Sequence, residues 1–203
     1  MALTTLPLAE ANVRFNADWL APGAADALLA DLRRGIGWET HRVRLFGREH
    51  ASPRLSCWIG DPGASYRYSG TRFEPRPWPA ALKPLRARLA RELAVDFNSV
   101  LANLYRDGRD AMGWHSDDEP ELGPAPVIAS VSLGAARRFV FKHRREPDRK
   151  LALELPHGSL LLMGGATQRH YRHALPRTTR PVGERLNLTF RWIDPAYANR
   201  RNP

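Results

Sequence analysis

Apolar residues recur with two different periods along the chain, and the change from one to the other predicts the layout. After "APG", Ala25, Leu28, Leu29 and Leu32 return every three or four positions, the spacing of one helix face. Leu82, Leu85, Leu89 and Leu93 do the same, with Arg86, Arg88 and Arg91 off the stripe. Two amphipathic helices are therefore predicted, each needing a sheet to cover its apolar side. From about residue 99 the pattern shortens to "SVLANLY", "IASVSL", "RRFVFKH", "LALEL", "SLLLM" and "RLNLTFRWI", separated by Gly, Pro and charged clusters. Such runs predict strands, and many short strands without a repeat predict a sandwich or jelly roll, an α+β to mainly-β fold with the helices packed on its sheet. No linker or shift in composition divides the 203 residues. A single domain over 1–203 is expected, with a helical lead-in over 1–40 and a jelly-roll core over about 99–193.

The last of these runs carries more than packing. Leu186, Leu188, Phe190 and Trp192 share one strand face, which reads as core, and Arg185, Asn187, Thr189 and Arg191 share the other. Two arginines and an asparagine facing one way need water or an anion. Six residues of strand separate the arginines by about 20 Å, and their side chains are long enough to converge on a small dicarboxylate. A solvated outer face is the competing reading. Asn103 and Tyr105 in "NLYRDG" form a second polar pair on one strand face.

In "GWHSDDEPEL", His115 is followed by Asp117, Asp118, Glu119 and Glu121 in a chain of formal net charge +10. In extended backbone His115 and Asp117 project to the same side and can hold one ion. A third ligand has to come from "QRHYRHALP", where His170 and His173 would face opposite sides of a strand. Two histidines and one carboxylate leave half of an octahedron open, the arrangement associated with non-haem Fe(II) oxygenases. A zinc hydrolase also uses such donors, but it gives no reason for inward-facing arginines.

Charge and cysteine content narrow the partners and the compartment. Only three of the 31 cationic residues are lysine, and arginine's planar fork suits phosphate and carboxylate. The basic balance fits a polyanionic partner, with nucleic acid ahead of a membrane surface because no basic amphipathic helix stands out. An arginine-rich soluble surface is the plainer alternative. Cys57 is the sole cysteine, which excludes a disulfide framework, a cysteine zinc site and an iron–sulfur cluster within one chain. The N-terminus lacks the pattern of a secretory leader, and no apolar run approaches the ~18 residues of a membrane span. A reduced, cytoplasmic location is expected.

Taken in order, "NLYRDG", "HSD", "HALP" and "RLNLTFR", with "YRYSG", "IASVSLG", "FVFKH" and "HGSLLLM" between and around them, resemble the AlkB family of Fe(II)- and 2-oxoglutarate-dependent dioxygenases over roughly residues 40–193. The resemblance implies a double-stranded β-helix core with Fe(II), 2-oxoglutarate and O2 as cofactor and cosubstrates. It implies that His115, Asp117 and His173 hold the iron. It further implies that Arg185 pairs with the distal carboxylate of 2-oxoglutarate, that Arg191 holds the end near the metal, and that Asn103, Tyr105 and Asn187 complete that pocket. Within the family the nearest likeness is to the branch repairing alkylated bases in duplex DNA. It is carried by "HRVRLFGREHASPR", where His41, Arg42, Arg44, Arg48 and Arg54 surround Phe46. Residues of about 41–75 then form a nucleotide-recognition hairpin region with phosphate partners and a wedge at Phe46. Tyr66 and Tyr68 would line the base pocket. Asp118, and with it Glu119, would favour a cationic 1-methyladenine or 3-methylcytosine over the neutral base, while Glu121 reads as surface. The implied activity is oxidative demethylation in DNA, releasing formaldehyde, succinate and CO2, by a monomer with no membrane attachment. The same chemistry on RNA or single strands is one alternative, and a non-catalytic nucleic-acid-binding jelly roll is another.

If Phe46 fills the gap left by a flipped base, Phe46→Ala is expected to lower activity on duplex substrate about tenfold or more. It should spare activity on single strands and leave Tm nearly unchanged. Packing of Phe46 in the core instead predicts equal loss on both substrates and a stability cost of about 3–5 kcal/mol, so Tm and the two rates on this one variant decide.

Overall fold

The computed structural model describes residues 2–45, 48–68 and 71–198, with side chains described except those of 42–50, 66–72 and 197–198. Two antiparallel sheets face each other. The major sheet has seven strands in the order β1 (Thr4–Thr5), β2 (Asn12–Asn16), β13 (Leu160–Gly164), β10 (Ile128–Gly134), β15 (Arg185–Arg191), β8 (Ser99–Tyr105) and β5 (Leu55–Gly60). The minor sheet runs β12 (Lys150–Leu155), β11 (Arg137–His143), β14 (Tyr171–Leu175) and β9 (Met112–His115). Two hairpins, β3 (Arg42–Leu45) with β4 (Arg48–Ala51) and β6 (Tyr66–Tyr68) with β7 (Thr71–Phe73), complete the strands. All six apolar runs named from the sequence are strands of the two main sheets. Both helical stripes are helices, α1 (Pro22–Gly35) and α2 (Leu82–Leu93).

Period-2 alternation sorts the central strands into two faces. Val100, Ala102 and Leu104 of β8, Ala129, Val131 and Leu133 of β10, and Leu186, Leu188 and Phe190 of β15 pack with Leu32, Leu85 and Leu89 of the helices. The opposite parity faces the minor sheet, and there the register lines up polar residues. Ser130 is opposite Thr189, Ser132 opposite Asn187, Asn187 opposite Asn103, Arg185 opposite Tyr105, and Asn103 opposite Ser56. This polar row crosses four strands inside the sandwich. Towards the β2 side the interior is apolar again, with Val13, Ile128, Leu161 and Met163 packed on Phe141, Leu155 and Tyr171. Every residue of β15 is buried, so the reading of its polar face as solvated surface is wrong.

Two expectations need correction. The first forty residues are not only a helical lead-in, because β1 and β2 extend the major sheet beside β13. The run "NVRFN" is short, but its Val13 is fully buried. Trp192 does not continue the apolar face of β15. The strand ends at Arg191, where the Asn98 side chain accepts from the Ile193 N–H and donates to the Ile193 carbonyl, both at 2.7 Å. That clamp turns Ile193 inward and leaves Trp192 47% exposed.

Candidate metal and cosubstrate centre

The chain brings His115, Asp117 and His173 together between the sheets. His115 ends β9 and is the direct register partner of His173 on β14. Their Nε2 atoms lie 3.9 and 3.8 Å from the two Asp117 oxygens. A β-bulge makes this alignment. Between the pairs His173–His115 and Leu175–Met112, β9 takes three steps where β14 takes two. The extra residue lets both Met112 and His115 face the interior, as bulges beside functional sites do. His115 Nδ1 is 2.8 Å from the carbonyl oxygen of Gly113 within that bulge. Donation to this oxygen fixes the tautomer and leaves the Nε2 lone pair for an ion. Gln168 accepts from the Asp117 backbone N–H at 3.0 Å, and the Ser116 hydroxyl donates to the Tyr171 carbonyl at 2.9 Å, so the loop after β9 is pinned.

The charges of the cluster suit a cation. Burial lowers the His173 pKa to about 3, helped by the neighbouring His115, and burial likewise lowers that of His115. Both imidazoles are neutral donors at physiological pH. Burial works to raise the Asp117 pKa, but Arg191 and the two histidines outweigh it and the carboxyl stays below its usual range. Arg191 Nη2 donates to Asp117 Oδ1 at 2.8 Å, whereas Asp117 Oδ2 is buried without a hydrogen-bond partner. A buried carboxylate oxygen with one unused side, facing two neutral imidazoles, fits a divalent ion in a facial triad. His170 is elsewhere, grouped with Glu10 and His143.

Two lobes open on this cluster. The inner one, about 430 Å³, is lined by the polar row, including Asn103, Tyr105, Ser130, Asn187 and Thr189, with Arg185 at one end and Arg191 beside the triad. Arg185 is 1% exposed. Its Nη2 donates to Ser132 Oγ at 2.9 Å, its Nε has no partner, and the Tyr105 ring lies 5.3 Å from its guanidinium carbon. Burial lowers its pKa to about 10. Among the described residues it has no carboxylate partner, so an anion has to supply the missing charge. The inner lobe thus presents a cation at one end and a metal cluster at the other, the complement of a chelating dicarboxylate.

The outer lobe, about 500 Å³, is walled by His41, Ser52, Arg54, Ser56, Trp58, Phe73, Leu101 and Met112, and shares His115, Asp117 and Arg191 with the inner one. Arg54 was expected at the hairpin tip as a phosphate partner. It lies past β4, is 7% exposed, and donates from Nε to Asn103 Oδ1 at 2.7 Å, because its place next to β5 carries it inward. Asp118 was expected to stand free beside the metal. It instead pairs with Arg144 and is half-exposed, and neither Asp118 nor Glu119 lines a lobe. The chain turns outward after Asp117, which consumes the inward position. Glu121 is half-buried rather than free surface. Phe46 lies outside the described residues, as do the side chains of Arg42, Arg44, Arg48, Tyr66 and Tyr68. Gln168, Trp58, Met112 and Phe139, which lines the inner lobe and stacks on His173 at 5.3 Å, went unrecognised in the sequence. Ser130 and Ser132 carried the same alternation signal within "IASVSL" that exposed the face of β15.

Comparison with known proteins agrees with this geometry. A model of the 2OG-Fe(II) oxygenase superfamily matches residues 12–191. The chain belongs to this superfamily. It is 41% identical over 181 residues to the DNA oxidative demethylase ALKBH2 of Bos taurus, covering 84% of this chain and 65% of the relative. The Homo sapiens ALKBH2 is 41% identical over 179 residues, 83% of this chain and 69% of the relative. The alpha-ketoglutarate-dependent dioxygenase alkB homolog 3 of Homo sapiens is 37% identical over 180 residues, 84% and 62%. These relatives place the chain in the AlkB family. The structure of OsALKBH1 superposes with a TM-score of 0.62 at 17% identity, covering 94% of this chain and all of that one, which shows the shared fold. As a 2OG-Fe(II) oxygenase, the chain is a dioxygenase that uses Fe(II), 2-oxoglutarate and O2.

Removing one of three ligands leaves the ion poorly held. His115→Ala, Asp117→Ala and His173→Ala are each expected to weaken Mn(II) binding, measured anaerobically by calorimetry, at least tenfold, and His170→Ala to bind as wild type. Loss in His170→Ala with retention in His173→Ala would overturn the assignment.

Proposed function

We propose that the protein is an oxidative demethylase of 1-methyladenine and 3-methylcytosine in DNA, repairing the base directly and releasing formaldehyde. The observation that carries this reading is the pair of lobes meeting at one His–Asp–His cluster, a polar inner lobe ending at Arg185 and an outer lobe walled by aromatic and apolar side chains. Two relatives named as DNA oxidative demethylases support the substrate class. The chain spans 65% of the length of the Bos taurus relative and 69% of the Homo sapiens one.

His115, Asp117 and His173 hold Fe(II). Arg185 takes the distal carboxylate of 2-oxoglutarate, Arg191 lies by the end near the metal, and Asn103, Tyr105 and Asn187 line the path between. The loaded centre supplies O2-driven hydroxylation of a C–H bond, coupled to conversion of 2-oxoglutarate to succinate and CO2. The chain's own residues orient and exclude. Leu101, Met112, Trp58 and Phe73 wall the outer lobe and keep bulk water from the reacting methyl group, while His41, edge-on to Phe73 at 4.7 Å, closes its side. A methylated base reaches the lobe by leaving the stack, which costs least where N1 or N3 methylation has already broken pairing. Hydroxylation of that methyl group gives an N-hydroxymethyl base that sheds formaldehyde without a nucleophilic side chain.

The chain works as one domain and as a monomer, with residues of about 41–75 as its nucleotide-recognition region and Phe46, Tyr66 and Tyr68 in contact with substrate. Cytoplasmic residence accords with its one thiol, Cys57, which is buried and pushed by burial to a pKa of about 11, a form slow to oxidise. Among the described residues no helix is long and apolar enough to cross a membrane.

The deciding experiment is mass spectrometry of an oligonucleotide carrying 1-methyladenine after incubation with protein, Fe(II) and 2-oxoglutarate. Loss of one methylene mass is expected, dependent on O2. Succinate formation with no change in the oligonucleotide would overturn the substrate.

A further inference from the structure

The bulge that aims His115 inward also leaves its neighbour outside. Trp114 is 49% exposed, one residue from a ligand of the metal cluster. Folding has no evident use for an indole there, since burying the ring would contribute more stability than exposing it. Gly113 beside it is exposed, and a Cβ built on it would touch nothing within 4 Å, so the ground next to the ring is open. β9 pairs with β14 alone and forms the edge of the minor sheet.

The surroundings of the ring are cationic. Lys142 Nζ stands 6.0 Å from its centroid, near the outer limit of a cation–π contact. Arg172, the register partner of Lys142 on β14, is exposed. Neither has a carboxylate partner among the described residues, in contrast to Arg144, which is neutralised by Asp118. An exposed aromatic face flanked by unneutralised cations is the combination that binds a single strand, since bases stack on the ring and phosphates pair with the cations.

We propose that Trp114 is a stacking platform for the nucleotide next to the target base, and that Lys142 and Arg172 grip the phosphates of the same strand. This rests on the reading of the outer lobe as a base pocket. β9 is the edge of the minor sheet, so a strand whose base enters the cluster at His115 passes round that edge, and its neighbouring nucleotide meets Trp114 on the outer face. The platform lets the enzyme hold a flipped-out stretch by its flank whatever the sequence, because every base has a face to stack.

The test measures binding of wild type and variants to a fluorescently labelled, unmethylated single-stranded 12-mer across a range of salt, so no turnover is needed. Trp114→Ala is expected to weaken binding about 5- to 100-fold, and Trp114→Phe to recover most of it. Lys142→Ala is expected to reduce the slope of log affinity against log salt by about 0.7, the value for one phosphate contact on a single strand. Trp114→Ala with wild-type affinity overturns the platform, as does a wild-type protein that does not bind the strand. So does a Trp114→Ala variant that binds DNA normally but sediments differently, which assigns the ring to contact between two copies of the chain. Should Trp114→Ala lose its cooperative melting, Lys142→Ala decides, and an unchanged salt slope sinks the proposal. A protein that grips DNA through Trp114 yet leaves 1-methyladenine intact refutes the demethylase reading and keeps the platform.

Discussion

A buried guanidinium with no carboxylate partner among the described residues sets the terms for the rest of this molecule. Arg185 is buried at the start of β15 beside the Ser132 hydroxyl and the Tyr105 side chain, a placement that costs several kcal/mol until an anion arrives. The surrounding structure pays that cost from the helix-facing side of the same strand, where Leu186, Leu188 and Phe190 are completely buried. One strand thus carries both the core and the site. Its alternation cannot slip by one residue without exchanging leucines for arginines, so the register that stabilises the fold also fixes the distance from Arg185 to the metal cluster.

The cluster itself depends on a departure from regular pairing. A regular ladder between β9 and β14 would not let Met112 and His115 face inward together. The single extra residue of the bulge does so, ties His115 Nδ1 to the Gly113 carbonyl, and puts Trp114 in solvent. Metal ligation and the strand-binding platform are two consequences of one backbone irregularity. Similarly, Asp117 gives one carboxylate oxygen to Arg191 and leaves the other without a hydrogen-bond partner, so Arg191 also holds the charge of the residue that faces the two histidines.

Much of this was legible in the sequence because period-2 alternation survives in the strands that form the site. β15 announced both faces, and the six apolar runs fell on strands. His173 rather than His170 joined the cluster, but not because they share a strand: His170 ends a short helix, Thr167–His170, and only His173 lies on β14. What escaped had physical reasons. β2 is five residues with one fully buried side chain, too short to stand out from a helical lead-in. Trp192 was turned outward by the Asn98 clamp on Ile193, 95 residues away in sequence, and tertiary hydrogen bonds of that kind leave no periodic trace. Arg54 looked like one more cation of a basic hairpin, and only pairing of β5 with β8 brings it to Asn103. The Asp118–Arg144 pair joins a loop to a strand end 26 residues away, a contact that charge counting does not foresee.

The central claim is that the buried charge of Arg185 is completed by 2-oxoglutarate. Anaerobic titration of the Mn(II)-loaded protein with 2-oxoglutarate tests it directly. Arg185→Ala removes a charge-assisted contact and leaves the carboxylate unpaired, so an affinity loss of roughly a hundredfold or more is expected, with Arg185→Lys restoring only part because a point charge lacks the planar fork. An Arg185→Ala protein that melts cooperatively and binds 2-oxoglutarate as tightly as wild type would contradict the account.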